Sequence, residues 1–523
     1  MICPCVTGPD RTGRTLVELH MNRSLTFISA VLLNGVLSHS QTFKNSIEDA
    51  NGRAIANTAD GGFVLAGINW THSVTGDMYL VRTNANGEVQ WSRTFGGSER
   101  DYCAAVEETN DGGSMMVGST ESFGALGRDV YVVKTNTTGN VLWSRTYGGP
   151  YDDDGSAMVL TSDGGAIIAG TAVTTSDPST GASAYVIRID ASGDTLWTNT
   201  YDTGSGNGAS WICPASGGGY LISGTMGLTS PLINGMMLIR IDDNGIVVWS
   251  KTTDTLLADA FSCASTSDGG FIVAGRVGVA ACLLRLSSDG DLMWSNMYYK
   301  QNCSNKAYSV RELADGGFVF SGDTDLHAWL VRTDASGELV WQYTYAETYK
   351  NYNQVVITNN GGFAVGGEIV EPTVQGMLHL RTDADGSTTC LPKTPPIIVE
   401  IPAFALSAPL VSVGSFGAVR IPNTVVGEGS ERVELCPTFT GTQDIESTQR
   451  ISLFPNPVTN EFTIKAELNV IALEIVDHTG RMVRIVNWIH GQNKVDVNEL
   501  SPGHYLLRMI HREGSSIASF VKE

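Results

Sequence analysis

One phrase recurs seven times in this chain, and that repetition limits the fold more than any other feature. It begins at Asp60-Gly61-Gly62-Phe63 and returns at Asp111-Gly112-Gly113, Asp163-Gly164-Gly165, Gly217-Gly218-Gly219-Tyr220, Asp268-Gly269-Gly270-Phe271, Asp315-Gly316-Gly317-Phe318 and Asn360-Gly361-Gly362-Phe363. Each Gly-Gly opens a short apolar run that ends in glycine, as in FVLAG, AIIAG and FIVAG. Such a run reads as a strand buried on both faces. The Asp-Gly-Gly ahead of it reads as a hairpin turn, because glycine takes positive φ without steric cost. A period this long, repeated this often, calls for a repeat architecture in which neighbouring units bury one another.

A second phrase follows each copy: a basic residue, a turn residue two places on, a glycine, and a tryptophan four places after that glycine. The basic residues are Arg82, Lys134, Arg188, Arg240, Arg285, Arg332 and Arg381. The tryptophans are Trp91, Trp143, Trp197, Trp249, Trp294 and Trp341, and the seventh copy has Cys390 in that place. With one more strand per unit, around Val106, Val159 or Val310, this gives four strands in roughly fifty residues, the signature of a propeller blade. The expected fold is all-β: a seven-bladed β-propeller over 41–390, a proline-containing β-rich connector over 391–450, and a small C-terminal β-sandwich over 451–523. The seventh unit lacks its Trp strand. Gln41-Thr42-Phe43 looks like the Arg-Thr-Phe of such a strand, so the mature N-terminus is expected to complete the last blade and close the ring. The second phrase is similar to the tryptophan-docking phrase of quinoprotein-like propellers and to the sialidase Asp-box, each out of register by one. Both resemblances imply a propeller and neither implies a reaction.

The two ends of the chain read as addresses. Residues 21–40 have a basic start at Arg23, an apolar stretch from Leu25 to Leu37, and small residues before Gln41. That is the layout of a secretory signal peptide, and residues 1–20 are read as a spurious extension ahead of it. The tail carries Pro455-Asn456-Pro457, Asp477 to Gly480, Gly503-His504-Tyr505 and Val521-Lys522 in order. It resembles the type A C-terminal sorting domain of the type IX secretion system of Bacteroidota. The resemblance implies the type IX machinery as a partner, release from the cell or attachment to surface lipopolysaccharide, and no cytoplasmic location. Of nine cysteines, Cys390 and Cys436 flank the proline-rich stretch and are candidates for a disulfide in an oxidising compartment.

Formal net charge is −21, which argues against nucleic acid as a partner. Among catalytic motifs, zinc spacings, phosphate loops and nucleophile elbows are absent from the sequence; no catalytic residue, metal or cofactor is assigned. Asp152-Asp153-Asp154 and Asp383-x-Asp385-Gly386 read as solvated loops, the calcium template wanting a closing Glu. The recurrent basic residues suit either of two roles. Arg82, Arg188, Arg240, Arg332 and Arg381, with Lys134 and Arg285, could form a ring of cations for an anionic ligand. Alternatively, each could pair with a turn Asp or carbonyl, which recurrence in every unit favours. Irregular loops in units one to four mark the expected ligand face, with Trp70 and Phe123 as candidate contacts. The function expected is an exported, non-catalytic surface or extracellular binding or adhesion propeller for an unknown glycan or protein ligand. The alternative is a secreted glycan- or peptide-active hydrolase with a carboxylate pair on the loop face.

Overall fold

The computed structural model describes residues 42–434 and 452–522, with short breaks of which the longest are 346–353 and 487–493. The proposed signal peptide and the Cys390–Cys436 pair lie outside the described residues. The chain forms two compact units, one ending at Thr438 and one beginning at Phe439. Every named element is a β-strand.

In the first unit, four strands per repeat form one antiparallel sheet, and the described residues contain seven such sheets, none closed on itself. Sheet one runs Ala50–Asn57, Phe63–Asn69, Asp77–Thr83 and Val89–Gly96. Its second and third strands are buried throughout, while the fourth alternates. The apolar runs flanked by glycine are thus central strands, as their lack of alternation requires. The first strands of the other sheets are Asp101–Glu108, Asp153–Leu160, Asn207–Pro214, Ala258–Ser265, Asn305–Glu312 and Gln354–Ile357. Each packs on the first strand of the next sheet, and Gln354–Ile357 packs on Ala50–Asn57, so the series of contacts returns to its start.

Consecutive sheets are joined through the recurrent aromatics. The hairpin glycine of one sheet, in left-handed conformation, lies under the tryptophan of the sheet before. A Cβ at Gly139 (φ +79°) would stand 2.8 Å from the Trp91 ring, and one at Gly193 2.9 Å from Trp143. The Nε1 of Trp143 donates to the Ala191 carbonyl at 3.0 Å, and that of Trp249 to Ser288 at 3.1 Å. Four places after the tryptophan, a buried tyrosine donates its hydroxyl to the same glycine's carbonyl: Tyr147 to Gly193 at 2.6 Å, Tyr201 to Gly245 at 2.8 Å, Tyr298 to Gly337 at 2.6 Å. The ring supplies buried area and the polar tip satisfies an otherwise orphaned carbonyl.

The N-terminal strand Phe43–Glu48 does complete the seventh sheet, beside Val374–Thr382. Its register differs from expectation. Phe43 faces Arg381 as Trp91 faces Arg82, so Phe43 stands in the tryptophan's place, and its ring would touch a Cβ at Gly87 at 2.5 Å. Phe-Lys-Asn-Ser-Ile therefore aligns with Trp-Ser-Arg-Thr-Phe, four residues from the match the sequence offers by eye.

Much of the stretch read as a connector belongs to the first unit. Its short strands pair with the outer strands of the sheets in reverse order. Ile398–Glu400 pairs with sheet five, Leu406–Ser407 with four, Ser412–Gly414 with three, Ala418–Arg420 with two and Val425–Gly427 with one. Arg432–Glu434 ends the belt on Phe43–Glu48 of sheet seven. Six outer edges thereby gain a fifth strand, which removes templates for edge-to-edge pairing.

In the second unit, a three-stranded sheet (Ser452–Phe454, Glu461–Lys465, Lys494–Asp496) and a four-stranded one (Met482–Val486, Val470–Asp477, Gly503–His511, Gly514–Lys522) share one core. Phe462 and Tyr505 both pack on Phe520, with ring centroids 4.7 and 5.6 Å away.

Two outcomes follow from this packing. Gly193 and Gly164 share a left-handed φ of +79° and +82°, but a Cβ at Gly164 would meet nothing closer than 3.4 Å. Gly193→Ala should therefore destabilise more than Gly164→Ala, by about 1–3 kcal/mol of overpacking, read from denaturant midpoints; equal losses would mean that φ alone matters. Amide exchange should show the belt strands Ile398–Glu400, Ser412–Gly414, Ala418–Arg420, Val425–Gly427 and Arg432–Glu434 protected far beyond a free linker; complete exchange at the earliest time point would mean that the belt is unpaired.

Candidate functional site

The first strands carry the feature that builds the site. In six of them one extra residue bulges out of the pairing with the second strand: Arg53, Ala104, Ser156, Ser210, Phe261 and Tyr308. The residue before each bulge is small (Gly52, Cys103, Gly155, Ala209, Ala260, Ala307), which lets the neighbouring sheet approach. A bulge re-aims its side chain, and all six bulged residues line one cavity of about 310 Å³. Tyr102, Asp154, Trp211 and Gln354 line it too, so every one of the seven sheets contributes from its first strand.

The cavity has a polar side and an aromatic side. On the polar side, Asp154 accepts the Tyr102 hydroxyl at 2.8 Å and the Ser119 hydroxyl at 2.8 Å, and its second oxygen lies 3.2 Å from Arg128 Nη2. The Arg53 guanidinium sits over the Tyr102 ring, 5.0 Å from its centroid. Burial, followed by the Asp154 charge, pushes the Tyr102 hydroxyl up to about 12, so it remains a donor at neutral pH. Gln354 is fixed by accepting the Ile55 amide at 3.1 Å. On the aromatic side, Phe261 and Tyr308 pack with ring centroids 5.2 Å apart, and the Tyr308 hydroxyl donates to Asp323 at 3.1 Å. Burial raises the Asp323 carboxyl, with Lys306 and the Tyr308 hydroxyl pulling it back.

Trp211 also borders a second cavity, of about 370 Å³, formed by the far ends of the first strands. Glu107 and Arg311 lie there and in an adjoining cavity of about 290 Å³. Arg311 donates to the Val310 carbonyl at 2.8 Å and has its Cζ 5.7 Å from the Trp211 ring. Glu107 is pushed up to about 7 by desolvation, against the pull of Arg311, and desolvation likewise lowers Arg311. Both are half-buried and line these cavities.

The residues expected from the sequence fall elsewhere. Arg82 pairs with Asp60 at 3.0 Å and Glu108 at 3.1 Å, Lys134 with Asp111 at 3.1 Å, Arg188 with Asp163 at 2.5 Å, Arg285 with Asp268 at 2.5 Å and Arg332 with Asp315 at 2.5 Å. Arg240 donates to the Gly218 and Ile241 carbonyls, and Arg381 to the Ala85 carbonyl and, at 3.5 Å, to Asn360. These heads hold the Asp-Gly-Gly turns, and none lines the cavity. The turn carboxylates of Asp60, Asp111, Asp163 and Asp268 are lowered first by their own Thr hydroxyls, with the turn glycine amides and these cations adding to the effect and burial opposing it.

Trp70 and Phe123 follow second strands, at the end where Ala50 faces Asn69 and Asp101 faces Thr120. That is the end to which the bulged cavity belongs, yet neither ring lines it. Trp70 is 37% exposed; Phe123 packs on Tyr131, centroids 5.7 Å apart.

The Asp152–Asp154 run is a solvated loop only at Asp152; Asp153 and Asp154 lie in the strand Asp153–Leu160. Asp153 is buried and accepts the amides of Gly149 at 2.6 Å and Val173 at 3.1 Å. Desolvation, with nearby Asp129, pushes it up to about 7. Asp154 is the cavity carboxylate. Asp383 caps its own turn through the amides of Asp385 and Ser387. Among the described residues no three His, Cys, Asp or Glu side chains converge as a metal would need. A signal for the cavity residues did exist in the sequence: they are the positions at which otherwise uniform repeats disagree.

In the second unit, Tyr505 donates to the Ser501 carbonyl at 2.9 Å and faces Asp477 across the strands. Gly503 faces Lys522, and the Val521 carbonyl accepts the Val458 amide at 2.7 Å. Pro455 and Pro457 are exposed; Asn456 and Gly480 lie outside the described residues.

No curated protein matches this chain. Among solved structures it is similar to the extracellular domains of a putative hybrid two-component system and a putative one-component system of B. thetaiotaomicron. Each has 11% identity and a TM-score of 0.38, with 92% of this chain and 57% of the other covered. The chain thus spans less than two thirds of the length of those chains. Residues 452–523 match the secretion system C-terminal sorting domain, which marks the chain for type IX secretion to the cell surface or the extracellular space.

Proposed function

We propose that the seven sheets are the blades of a seven-bladed β-propeller and that the exported protein is a non-catalytic binding module whose site is the axial cavity. The observation that carries this reading is the convergence of all seven first strands on one cavity, six of them through a bulge. Repeats that agree elsewhere and differ where they meet mark a place specialised for contact. The lining pairs aromatic faces (Trp211, Phe261, Tyr308) with hydroxyl, amide and carboxylate groups. That chemistry suits the end of a glycan: the rings take the apolar face of a sugar, and Asp154, Gln354 and the serines meet its hydroxyls. Asp154 is the single carboxylate lining this cavity among the described residues. A carboxylate-pair hydrolase needs two, so binding is the better reading.

The tail implies contact with the type IX machinery. Release or attachment to surface lipopolysaccharide would follow from removal of residues 452–523, leaving the first unit as the working part.

Two measurements check this. On a glycan array the exported chain should bind a set of saccharides, and Trp211→Ala and Asp154→Asn should each weaken the best hit about tenfold or more; undiminished binding by both variants would remove the cavity from the reading. In the producing cell, deletion of 452–523 should abolish the protein outside the outer membrane while it persists inside; unchanged surface or medium levels would deny the tail its role.

A further inference from the structure

Cys213 and Cys263 meet at the seam between the fourth and fifth sheets. Cys213 is in the first strand of the fourth sheet, facing Leu221 across that sheet, and Cys263 is in the first strand of the fifth. Cys263 Sγ lies 3.5 Å from the Leu221 carbonyl oxygen. The Leu221 backbone also hydrogen-bonds the Cys213 sulfur, and the two thiols are in hydrogen-bonding contact with each other. Both side chains belong to one apolar cluster spanning the two sheets. They are 4% and 1% exposed, and both border the cavity that holds Glu107 and Arg311. Other buried cysteines have different company. Cys103 contacts the Ala105 and Val117 carbonyls, and Cys282 lies beside the Gly275 backbone.

In a reducing cytoplasm such a pair is merely two small core side chains. This chain leaves the cytoplasm, and outside it adjacent thiols are oxidised. We propose that Cys213 and Cys263 join in a disulfide after export, a covalent staple between the fourth and fifth sheets. The oxidant is a disulfide, carried by a thiol oxidoreductase or a small disulfide compound. One cysteine thiolate attacks it and forms a mixed disulfide. The other cysteine's sulfur then displaces the oxidant's second sulfur. One S–S bond breaks and one forms, and the two electrons and two protons from the cysteines end on the oxidant as two thiols. Burial pushes the Cys213 thiol well up, so exchange is slow once the seam has closed. The bond forms while the sheets are still docking, and the closed seam then shields it from reductants. The staple encloses a loop of about 50 residues, long enough for a substantial restriction of the unfolded chain.

The test uses the exported protein as collected outside the producing cells, denatured in iodoacetamide without reductant, digested and analysed by mass spectrometry. A linked peptide pair containing Cys213 and Cys263 is expected, lost on reduction, with Cys103 and Cys282 alkylated. Full alkylation of both Cys213 and Cys263, or linkage of either to a different cysteine, overturns the proposal. As a second readout, the double variant Cys213→Ala/Cys263→Ala should melt about 5 °C or more below the wild type when both are refolded with oxidised glutathione. The gap should largely close when both are refolded with reductant, and a gap indifferent to reductant would overturn the staple.

Discussion

The contact between an outer-strand aromatic and the hairpin glycine of the next sheet is the constraint on which the rest depends. A four-stranded sheet of this kind has two faces to cover and cannot cover either alone. The tryptophan and tyrosine fix how far one sheet stands from the next, because the ring rests on a residue without a side chain and the hydroxyl finds its carbonyl at 2.6–2.8 Å. The arginine of the second phrase works at the same seam from inside the sheet, tying the third strand to the Asp-Gly-Gly turn. Most of these ion pairs have one half-exposed partner, such as Asp163 at 50%, and each contributes only about 0–1 kcal/mol. Their service is to hold the turn's geometry; the aromatics supply the larger share of burial.

With that spacing set at the outside, the first strands are forced together at the inside, and room there becomes scarce. Small residues before each bulge meet the demand, and the bulge then turns the next side chain away from the crowded seam. Cavity and seam are thus two results of one packing problem. The lining is free to vary because the bulged residue has left the ladder, so Arg53, Phe261 and Tyr308 can occupy equivalent places without disturbing the sheets.

How much of this was legible follows from range. The turns, buried strands and outer tryptophans are local patterns, and the repeat count, the strand class and the sorting tail could be read directly. The closing strand was legible in kind but not in register, since Phe43 replaces a tryptophan and only the pairing with Arg381 reveals it. The belt was illegible. Its strands are two or three residues long and have no period of their own; edges supplied by residues far earlier in the chain determine where they lie. The cavity was missed for a related reason. The irregularity that is easy to see lies in the loops around Trp70 and Phe123, whereas the cavity is marked by single variable positions inside the first strands.

Sheet seven shows what such long-range pairing costs in folding. It brings together residues 354–382, the strand Phe43–Glu48 and the belt's last strand Arg432–Glu434. Sheets one to six are each assembled from one stretch of about fifty residues, so they can form early from local contacts, whereas sheet seven must wait for both ends of the unit. Until then Phe43–Glu48 and the outer edges of sheets one to five are open, the condition in which β-rich chains associate with one another. A belt that runs backward from sheet five and finishes on Phe43–Glu48 covers the edges and then locks the closing strand between two partners. By this argument the pairing that closes the sheet last is the one that holds Phe43–Glu48, the first described strand, in place.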